Sequence, residues 1–374
     1  MPRTILVLNV GSSSVKFAVA RGRQIIMRGL IDHVSQRARV GWSFRSRRHA
    51  RTVFIPDLPS ALKQVRGIMA EYQLTPDAIA HRIVHGGQRY TQPTKLTPAT
   101  IKYLRQLNEL APLHQPANLA GVAFGKRYWP SATEWGVFDT AIFRQLPAAA
   151  RIYALPLGLA KRLHIEKYGF HGTSHQWAFR QAASKLKIPP RKMSAVTIHL
   201  GSGSSMTLWD HGRPIDTSLG FTPLSGLVML TRSGDIDPAI PLFLQSKMRW
   251  PAPRVQQMLE YESGLVGLCG LHDMRDILVA VGQPVANWPH RHFSSAIRNR
   301  AKLALKVYVF RIQRELAGFL GLISRASAVI FTGPIGEKHY LQQLIISGLP
   351  AVRGIPRVTI HADEEQAMVE AINA

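Results

Sequence analysis

The sequence contains little cysteine and no long hydrophobic run. Cys269 is the single cysteine among 374 residues, which excludes an intrachain disulfide, and its apolar surroundings predict a buried thiol. The longest apolar stretch, 316–330, is interrupted by Arg325 and is too short to cross a bilayer. The N-terminus does not have the pattern of a signal peptide. We therefore expect a soluble cytoplasmic protein with no membrane partner.

Acidic residues are also scarce. The chain has 22 Asp and Glu against 47 Lys and Arg, which gives a formal net charge of +25. Such a charge raises the question of nucleic-acid binding. One segment with the character of a hairpin holds a dense arginine cluster: Arg37, Arg39, Arg45, Arg47, Arg48 and Arg51. Because the cluster matches no nucleic-acid motif, we expect a solvated basic surface that steers anionic substrates, and no specific nucleic-acid partner.

No low-complexity tract and no Walker P-loop occur in the chain, so a P-loop kinase is excluded. Hydrophobic residues make up 46% and charged residues 18% of the sequence, which is typical of a globular protein. A chain of this length has room for a large core, and two domains are the natural expectation.

Two similar segments suggest that the chain is built from two related halves. In the first, apolar residues 5–8 lead into Asn9–Lys16, a polar turn with one glycine and three serines, followed by a second apolar run. The pattern recurs where residues 196–200 run into Gly201–Ser205 and then an apolar strand. Backbone N–H groups and hydroxyls at such turns suit phosphate oxygens, and an ordinary polar hairpin turn is the alternative.

Several predicted strands end in polar residues. An apolar strand carries Arg82 into Gly86-Gly87, and a second strand ends at Asp139. Strand ends of this kind face a ligand cleft in α/β folds, although a solvated arginine and a helix N-cap are the alternatives. A helix predicted over 98–110, with Thr97 as N-cap, leads into a proline-rich loop that carries His114.

His171 and His175 have the i, i+4 spacing of a metal-binding pair on a helix. Gly172 argues against a full helix at this point and no carboxylate lies nearby, so we favour a contact to an anion or a transition state over zinc. Arg232 stands between Gly/Ser turns, where it suits a clamp on phosphate or carboxylate. An ion pair with Asp235 or Asp237 is the alternative.

Near the C-terminus, strand 328–333 runs into the turn 334–337, which has a nucleotide-cradling pattern. Asp363, Glu364 and Glu365 then precede a short helix. They are either acids of a helix N-terminus or ligands of Mg²⁺.

Taken together, these segments resemble the motifs of the acetate kinase family, both in their order along the chain and in their residues. The matching segments are 9–17, 81–87, 110–118, 137–141, 168–175, 199–205, 216–238 and 331–337. The resemblance implies an α/β fold of two duplicated actin-like (ribonuclease H-like) domains with an interdomain nucleotide cleft. The expected N-terminal domain comprises 1–141 plus about 365–374. The expected C-terminal domain, 142–364, would carry most of the nucleotide site.

The resemblance also implies roles for individual residues. The implied catalytic residues are Arg82, His114, Asp139, His171 and Arg232, with Arg82 and Arg232 binding the acetate carboxylate and the migrating phosphoryl group. The implied pocket for the substrate methyl consists of Arg82, Val84, Leu113, Phe170 and Pro223. The implied metal ligands are Asn9 and Glu364, with Glu365 as the alternative acid.

The implied nucleotide contacts are Ser12, Ser14, Lys16, His199, Leu200, Gly201, Ser202, Gly203, Asp273, Met274, Arg275, Gly333, Pro334, Ile335, Gly336 and Glu337. Four positions depart from the usual family residues: Gln115, Ser202, Pro334 and Lys338. We expect these departures to affect nucleotide binding more than the chemistry.

The implied function is acetate kinase activity, the reversible transfer of the ATP γ-phosphoryl group to acetate, which gives acetyl phosphate and ADP. Mg²⁺ is the expected metal, with Mn²⁺ as the alternative, and the family analogy suggests a homodimer through the C-terminal half. A propionate or butyrate kinase is the closest alternative. A non-catalytic actin-like ATP-binding protein is less favoured, because a decayed site would have lost some of these charged groups.

Overall fold

The computed structural model describes residues 2–35, 37–112, 114–289 and 291–374. Contacts between residues divide the chain into two compact units. Unit 1 comprises Met1–Arg144, Phe170–Trp177 and Asp363–Ala374, and unit 2 comprises Gln145–Gly169 and Ala178–Ala362. Relative to the expected domain boundaries, this division adds the segment Phe170–Trp177 to the N-terminal part.

The strands and helices of the first part of the chain are β1 (Thr4–Val10), β2 (Ser14–Arg21), β3 (Gln24–Asp32), β4 (Arg37–Phe44), β5 (Arg47–Phe54), α1 (Leu58–Glu71), β6 (Ala78–Ile83), β7 (Thr94–Lys95), α2 (Pro98–Gln106), α3 (Gln115–Tyr128) and β8 (Thr133–Phe138). Those that follow are α4 (Ala148–Arg151), α5 (Leu157–Arg162), α6 (Gly172–Leu186), β9 (Ala195–Leu200), β10 (Ser204–Asp210), β11 (Arg213–Thr217), α7 (Ala239–Met248), α8 (Ala252–Tyr261), α9 (Gly264–Cys269), α10 (Met274–Ala280), α11 (Ser295–Leu320), β12 (Ala328–Thr332), α12 (His339–Ile346), β13 (Arg357–Thr359) and α13 (Glu364–Ile372).

Each unit is built on a mixed sheet, and the two sheets share one topology. The order is β5-β4-β3-β2-β1-β6-β8-β7 in unit 1 and β11-β10-β9-β12-β13 in unit 2. In both, three antiparallel strands continue into two parallel ones: β3-β2-β1 into β6 and β8, and β11-β10-β9 into β12 and β13. This repeated α/β arrangement confirms the duplicated actin-like fold class expected from the sequence.

Strand β1 is buried on both faces because helices cover both sides of the sheet at this point. Ile5 and Val7 pack in the cluster that includes Met368 and Val369 of α13. Leu6 and Leu8 alternate with them and belong to a second cluster that includes residues of α1. The position of α13 therefore brings the residues just before and within its first turn to the sheet of unit 1.

Several local predictions are confirmed. Helix α2 begins at Pro98 as predicted, with the side chain of Thr97 accepting a hydrogen bond from the Thr100 N–H at 3.2 Å. It ends at Gln106, and the rest of the predicted helix is a 3₁₀ turn over Leu107–Leu110. The arginine-rich segment is the β4–β5 hairpin. Cys269 is buried in the core of unit 2, and burial raises the pKa of its thiol. Within the described residues, no helix is both long and apolar enough to cross a membrane.

Candidate active site

The candidate site of unit 1 lies where three neighbouring strands end. Strand β6 pairs in parallel with β1 on one side and with β8 on the other. The C-terminal ends of parallel neighbours meet at one edge of a sheet. Asn9 near the end of β1, Arg82 near the end of β6 and Asp139 directly after β8 are therefore brought together.

Arg82 and Asp139 form a buried, two-pronged ion pair. The Arg82 Nη2 donates to Asp139 Oδ2 at 2.7 Å, and its Nε lies 3.1 and 3.2 Å from the two carboxylate oxygens. The Asp139 residue is only 1% exposed. Two parallel hydrogen bonds hold the planar guanidinium in one orientation, so the remaining nitrogen, Nη1, points in a fixed direction.

Helix α13 supplies an acid to the Nη1 side of this arginine. Asp363 caps the helix by accepting from the Gln366 N–H at 2.9 Å, which places Glu364 in the first turn. The Glu364 Oε2 lies 3.0 Å from Arg82 Nη1 and accepts from Asn9 Nδ2 at 3.2 Å. Asn9 Oδ1 in turn accepts from Arg82 Nη1 at 3.4 Å. Two acids and one amide thus surround a single guanidinium.

The charges of this cluster follow from its burial and its pairing. Burial opposes the charge of Arg82, but the carboxylates of Asp139 and Glu364 raise its pKa further above the ordinary arginine value. Burial raises the pKa of Asp139, while the Arg82 guanidinium and the Thr173 hydroxyl oppose that rise. Arg82 is therefore a fixed positive charge at every pH of interest.

The segment before α6 brings His171 to the same place. Helix α6 begins only at Gly172, so His171 precedes it, with a φ of 57°. The Gly172 N–H donates to the Asp139 carbonyl at 3.0 Å, and a Cβ on Gly172 would collide with that oxygen. The Thr173 hydroxyl also donates to Asp139 Oδ1 at 3.2 Å. The glycine thus allows the close approach that places His171 beside the backbone of Asp139.

A second arginine holds the two acids on either side of Glu364. Arg28 of β3 donates to both carboxylate oxygens of Asp363, at 2.9 and 2.6 Å, and to Glu365 Oε2 at 3.4 Å. Burial raises the pKa of Glu365, and the neighbouring charge of Glu364 adds to that rise. Glu364 therefore faces Asn9 and Arg82, whereas Glu365 faces Arg28, which distinguishes the two acids that the sequence leaves as alternatives.

The phosphate-turn residues follow β1. The Gly11 N–H donates to the Ser14 carbonyl at 2.8 Å and closes the turn that carries Ser12. Lys16 lies directly opposite Asn9 in the antiparallel pair of β1 and β2, so both side chains project from the same face of the sheet.

The backbone around Val84 is held by hydrogen bonds to the buried side-chain amides of two residues of α3. Asn118 Oδ1 accepts from the Val84 N–H at 2.9 Å, and its Nδ2 donates to the Val10 carbonyl at 2.7 Å. Gln115 accepts from the His85 N–H and donates to the His85 carbonyl, at 3.2 and 3.0 Å. Gln115, which differs from the usual family residue, therefore stabilises the backbone of unit 1 at His85. His114 occupies the N-cap position of α3, and Leu113 lies outside the described residues.

The His85 ring packs edge-on against Phe170, with ring centroids 5.7 Å apart. Its side chain is fully buried, and its Nδ1 accepts from the Gly87 N–H at 2.9 Å, which requires an unprotonated Nδ1. Burial, together with the charge of Arg144, lowers the pKa of His85 to about 3.

We expect the buried His85 to make the protein less stable in acid. The unfolded chain takes up this proton near pH 6.5 and the folded chain only near the lowered pKa, so stability is fully present above about pH 6.5. It falls by about 1.4 kcal/mol for each pH unit below that, or about 2 kcal/mol at pH 5. Urea unfolding of the wild type and of His85→Gln, each at about pH 6.5 and about pH 5, measures this loss of stability. Equal pH dependence in the two proteins would contradict the assignment.

In unit 2, Arg232 lies close to Pro223, the residue implied for the substrate pocket. Its Nη1 donates to the Pro223 carbonyl at 3.3 Å and lies 3.6 Å from the Met229 sulfur. Burial lowers the pKa of Arg232, and the charges of Glu260 and Tyr261 act in the opposite direction. The guanidinium is thus partly buried within unit 2, where its charge is less hydrated than at an exposed position.

The two glycine-rich turns of unit 2 come together through strand pairing. His199 on β9 lies opposite Thr332 on β12 in a parallel pair. The Leu200 carbonyl accepts from the N–H groups of Ile335 and Gly336 at 2.9 and 3.1 Å. The predicted nucleotide residues Leu200–Gly203 and Gly333–Glu337 therefore meet, and Pro334 fits between them without displacing either hydrogen bond.

The predicted adenosine segment lies at the start of α10. Asp273 caps this helix and forms a two-pronged pair with Arg275, at 2.9 and 2.6 Å. The Arg275 guanidinium also stacks over the Trp288 ring, 3.5 Å from its centroid. Met274, between the two, is buried in the core. The Arg275 guanidinium is thus held in one orientation by Asp273 and the Trp288 ring.

Sequence reasoning missed three residues that position the others: Arg28, Thr173 and Trp288. Thr173 lies within the recognised segment 168–175, in the first turn of α6. Arg28 acts across 335 positions of sequence. Trp288 is close in sequence to Arg275, but no local pattern marks either Arg28 or Trp288.

A charged cluster at the strand ends of a duplicated α/β fold, with glycine-rich turns at the corresponding ends of the second sheet, defines an actin-like phosphotransferase. Residues 4–367 match the model of the acetokinase family. The chain belongs to this family and is a kinase.

Named relatives and solved structures agree with this assignment. The chain is 36% identical to an acetate kinase of Arthrobacter sp. strain FB24, over 99% of this chain and 98% of the relative. It is 34% identical to an acetate kinase of Bacillus subtilis, over 92% and 87%. A propionate kinase structure from Francisella tularensis superposes with a TM-score of 0.89 at 31% identity, covering 99% and 98% of the two chains. An acetate kinase structure from Porphyromonas gingivalis gives 0.85 at 27% identity, with the same coverage.

Proposed function

We propose that the protein is an acetate kinase, which transfers the γ-phosphoryl group of ATP reversibly to acetate and so forms acetyl phosphate and ADP. The observation that carries the proposal is the Arg82 guanidinium, fixed by Asp139 and surrounded by Asn9 and Glu364, in a chain of the acetokinase family. Relatives named acetate kinase at 34–36% identity support the choice of reaction.

The chemical problem of this reaction is repulsion between negative charges. A carboxylate has to approach a polyphosphate, and in-line transfer spreads negative charge over the equatorial oxygens of the migrating group. Arg82, through its Nη1, and Arg232 would bind this charge through charge-assisted hydrogen bonds. His171 would stabilise the transition state by donating to it, and His114 would support that interaction.

Asp139 is proposed to orient Arg82 and not to act as a base. Acetate is already ionised at neutral pH, so its attacking oxygen has no proton to lose. Both carboxylate oxygens of Asp139 are engaged, one by Arg82 Nη2 and the other by Thr173. This arrangement suits a carboxylate that fixes a cation better than one that accepts a proton.

Asn9 and Glu364 have the donor atoms for Mg²⁺. The ion prefers oxygen ligands and in kinases uses one or two protein groups together with phosphates and water. Within the described part of the chain, no group of three or more His, Cys, Asp or Glu could hold a metal ion. One amide and one carboxylate therefore fit an ion that completes its coordination on the nucleotide, and the bound ion would neutralise phosphate charge. Mn²⁺ fits the same oxygens.

Arg28→Ala is expected to raise the Mg²⁺ concentration for half-maximal activity about 3- to 10-fold, because Glu364 loses the support of its neighbours. The Arg28 side chain is 42% exposed, so unfolding is expected to change by less than about 1 kcal/mol. Faster hydrogen exchange at the first turn of α13 would report the loosening without any assay. Arg39→Ala, on a neighbouring strand, is the control. Unchanged exchange and Mg²⁺ dependence in Arg28→Ala would refute this role.

The methyl pocket sets the preferred acid. The β-branched Val84, half-buried after β6, and the buried Phe170 would keep the pocket short and favour acetate. One methylene is worth only about 1–3 kcal/mol of discrimination, so propionate is expected as a slower substrate. The structural similarity to a propionate kinase makes propionate the second candidate substrate.

The test is Mg·ATP-dependent acyl phosphate formation, trapped with hydroxylamine, across formate, acetate, propionate and butyrate. A maximum of kcat/KM at acetate would support the proposal, and Val84→Ala should then shift the preference towards longer acids. A maximum at propionate or butyrate would replace acetate by the longer acid while keeping the mechanism. No product with any acid, from a folded protein that binds ATP, would refute the function.

A homodimer through unit 2 is proposed together with this function. Helix α7 is rich in apolar residues, yet Leu242, Phe243 and Met248 are 66%, 63% and 53% exposed. An apolar helix left in solvent is typical of a surface that a second copy covers. Sedimentation should give a dimer for the wild type and a monomer for Leu242→Glu/Phe243→Glu. A monomeric wild type at micromolar concentration would exclude this interface.

A further inference from the structure

One face of the unit 1 sheet is uncovered beyond the reach of α13. The helix packs on β1, β2, β6 and β8, and strands β3–β5 continue past it. Strand register places residues of this face in rows across the sheet. Arg28, Ser43 and Arg48 form one row, and Leu30, Gly41 and Ala50 form the next. Arg39 projects from the same face beyond the second row.

These rows line a groove of about 770 Å³. Its lining includes four basic residues, Lys16, Arg28, Arg39 and Arg48, and two acids, Asp32 and Glu365. Arg28, at the α13 end, is paired with Asp363 and Glu365. Arg39 and Arg48 are exposed and have no carboxylate partner among residues 2–35, 37–112, 114–289 and 291–374. Asp32 lies opposite Arg39 on the neighbouring strand, so the positive charge of the groove is least compensated at its β5 end, at Arg48.

Between Asp32 and Asp57 the sequence contains no further acid, and residues 33–56 contain six arginines. The hairpin divides the arginines between its two sides. Arg51 lies over the Trp42 ring and hydrogen-bonds Gln64 on the covered side. Arg37, Arg39 and Arg48 project from the open side. A concentration of one charge on an open face attracts anions and condenses them there.

We propose that this groove binds single-stranded nucleic acid through its backbone, without reading sequence. Arg28 and Arg48 stand two strands apart, roughly 10 Å, a separation at which successive phosphates of one strand can each contact a different arginine. Exposed apolar side chains accompany the arginines: Leu30 is 39% exposed, and Phe54, opposite Arg37, is 66% exposed. A nucleic-acid base can stack on the Phe54 ring, whereas inorganic polyphosphate has no group that stacks on it. The proposal is independent of the kinase reaction.

The test compares two variants of equal net charge. Arg39→Glu/Arg48→Glu changes the groove, and Arg191→Glu/Arg213→Glu changes two exposed arginines of unit 2 by the same four charge units. Fluorescence anisotropy with labelled single strands of about 20 nucleotides, DNA in one arm and RNA in the other, gives the affinity between about 50 and 200 mM salt.

The groove variant should bind at least about tenfold more weakly, and its slope of log K against log salt should be smaller by about 1.4. The control should stay within about twofold of wild type. Phe54→Ala should weaken binding of single strands while leaving competition by inorganic polyphosphate unchanged. Acyl phosphate formation serves as the check that each variant is folded. Comparable DNA and RNA affinities are expected, since nothing in the proposal reads the 2′-hydroxyl.

Three results would overturn the proposal. Equal losses in the groove variant and the control would reduce the binding to net charge alone. Polyphosphate that competes as well as a single strand, with no effect of Phe54→Ala, would leave a general polyanion site. Wild-type protein without measurable affinity at the lower salt concentration would leave the arginines as a solvated surface.

Discussion

Replacing Arg82 by alanine is expected to lower kcat/KM for acyl phosphate formation by at least about 10³-fold. An arginine that meets the charge of a migrating phosphoryl group contributes this much or more in other phosphotransferases. Arg82 has the required preorganisation, because Asp139 holds its Nε and Nη2 and leaves Nη1 directed at Asn9 and Glu364. Steady-state kinetics with Mg·ATP and acetate measure the loss.

Removing Arg82 also leaves the buried Asp139 without its cation, which costs about 3–5 kcal/mol and can unfold the variant. Arg82→Lys separates the two effects, since it keeps a positive charge beside Asp139 but loses the two-pronged contact. We expect it to fold and still to lose about 10²-fold or more in kcat/KM. Arg89→Ala, an exposed arginine of the same unit, is the control. An Arg82→Lys protein within about threefold of wild type would disprove the assignment.

Arg232→Ala is expected to abolish phosphoryl transfer, again by about 10³-fold or more, while the fold stays intact. Its environment differs from that of Arg82. Its guanidinium contacts the Pro223 carbonyl and the Met229 sulfur, among other groups of unit 2. Burial opposes the charge of Arg232, so its removal relieves a desolvation cost that offsets the loss of its contacts and of its attraction to Glu260. Thermal unfolding should therefore shift by only a few degrees.

The measurement for Arg232→Ala pairs thermal unfolding with single-turnover transfer from labelled ATP. Arg213→Ala, an exposed arginine of the same unit, provides the matched control. A folded and active Arg232→Ala protein would remove this residue from the phosphoryl clamp. An unfolded one would show that its burial serves the structure of unit 2, and Arg232→Lys would then decide whether charge or shape is needed.

Much of the charged cluster is predictable because it depends on one geometric rule. Asn9, Arg82 and Asp139 each stand at or next to the end of an apolar strand, and ends of parallel neighbours meet at one edge. The rule needs only strand positions and directions, which local apolar runs and glycine turns indicate well. The same reasoning predicts the contact of the Gly201 and Gly333 turns in unit 2.

The supporting residues were not predictable, for reasons of distance along the chain. Arg28 pairs with Asp363 across 335 positions, and only the final register of β3 against α13 brings them together. Gln115 is a departure from the family pattern that the sequence links to nucleotide binding, yet its amide spans the backbone of His85. The Gln115 side chain is long enough to reach His85, which follows β6, and its amide pairs with both the N–H and the carbonyl of that residue.

The contribution of α13 to this cluster also constrains how the protein is made. Asn9 leaves the ribosome 355 residues before Glu364, the acid to which it donates a hydrogen bond. Strand β1 can pair with β2 and β6 early, but the guanidinium of Arg82 meets Glu364 only when nearly all of the described chain has been synthesised. A nascent or prematurely ended polypeptide therefore lacks this acid, and kinase activity should arise late in biosynthesis, after most of the core of unit 1 has formed.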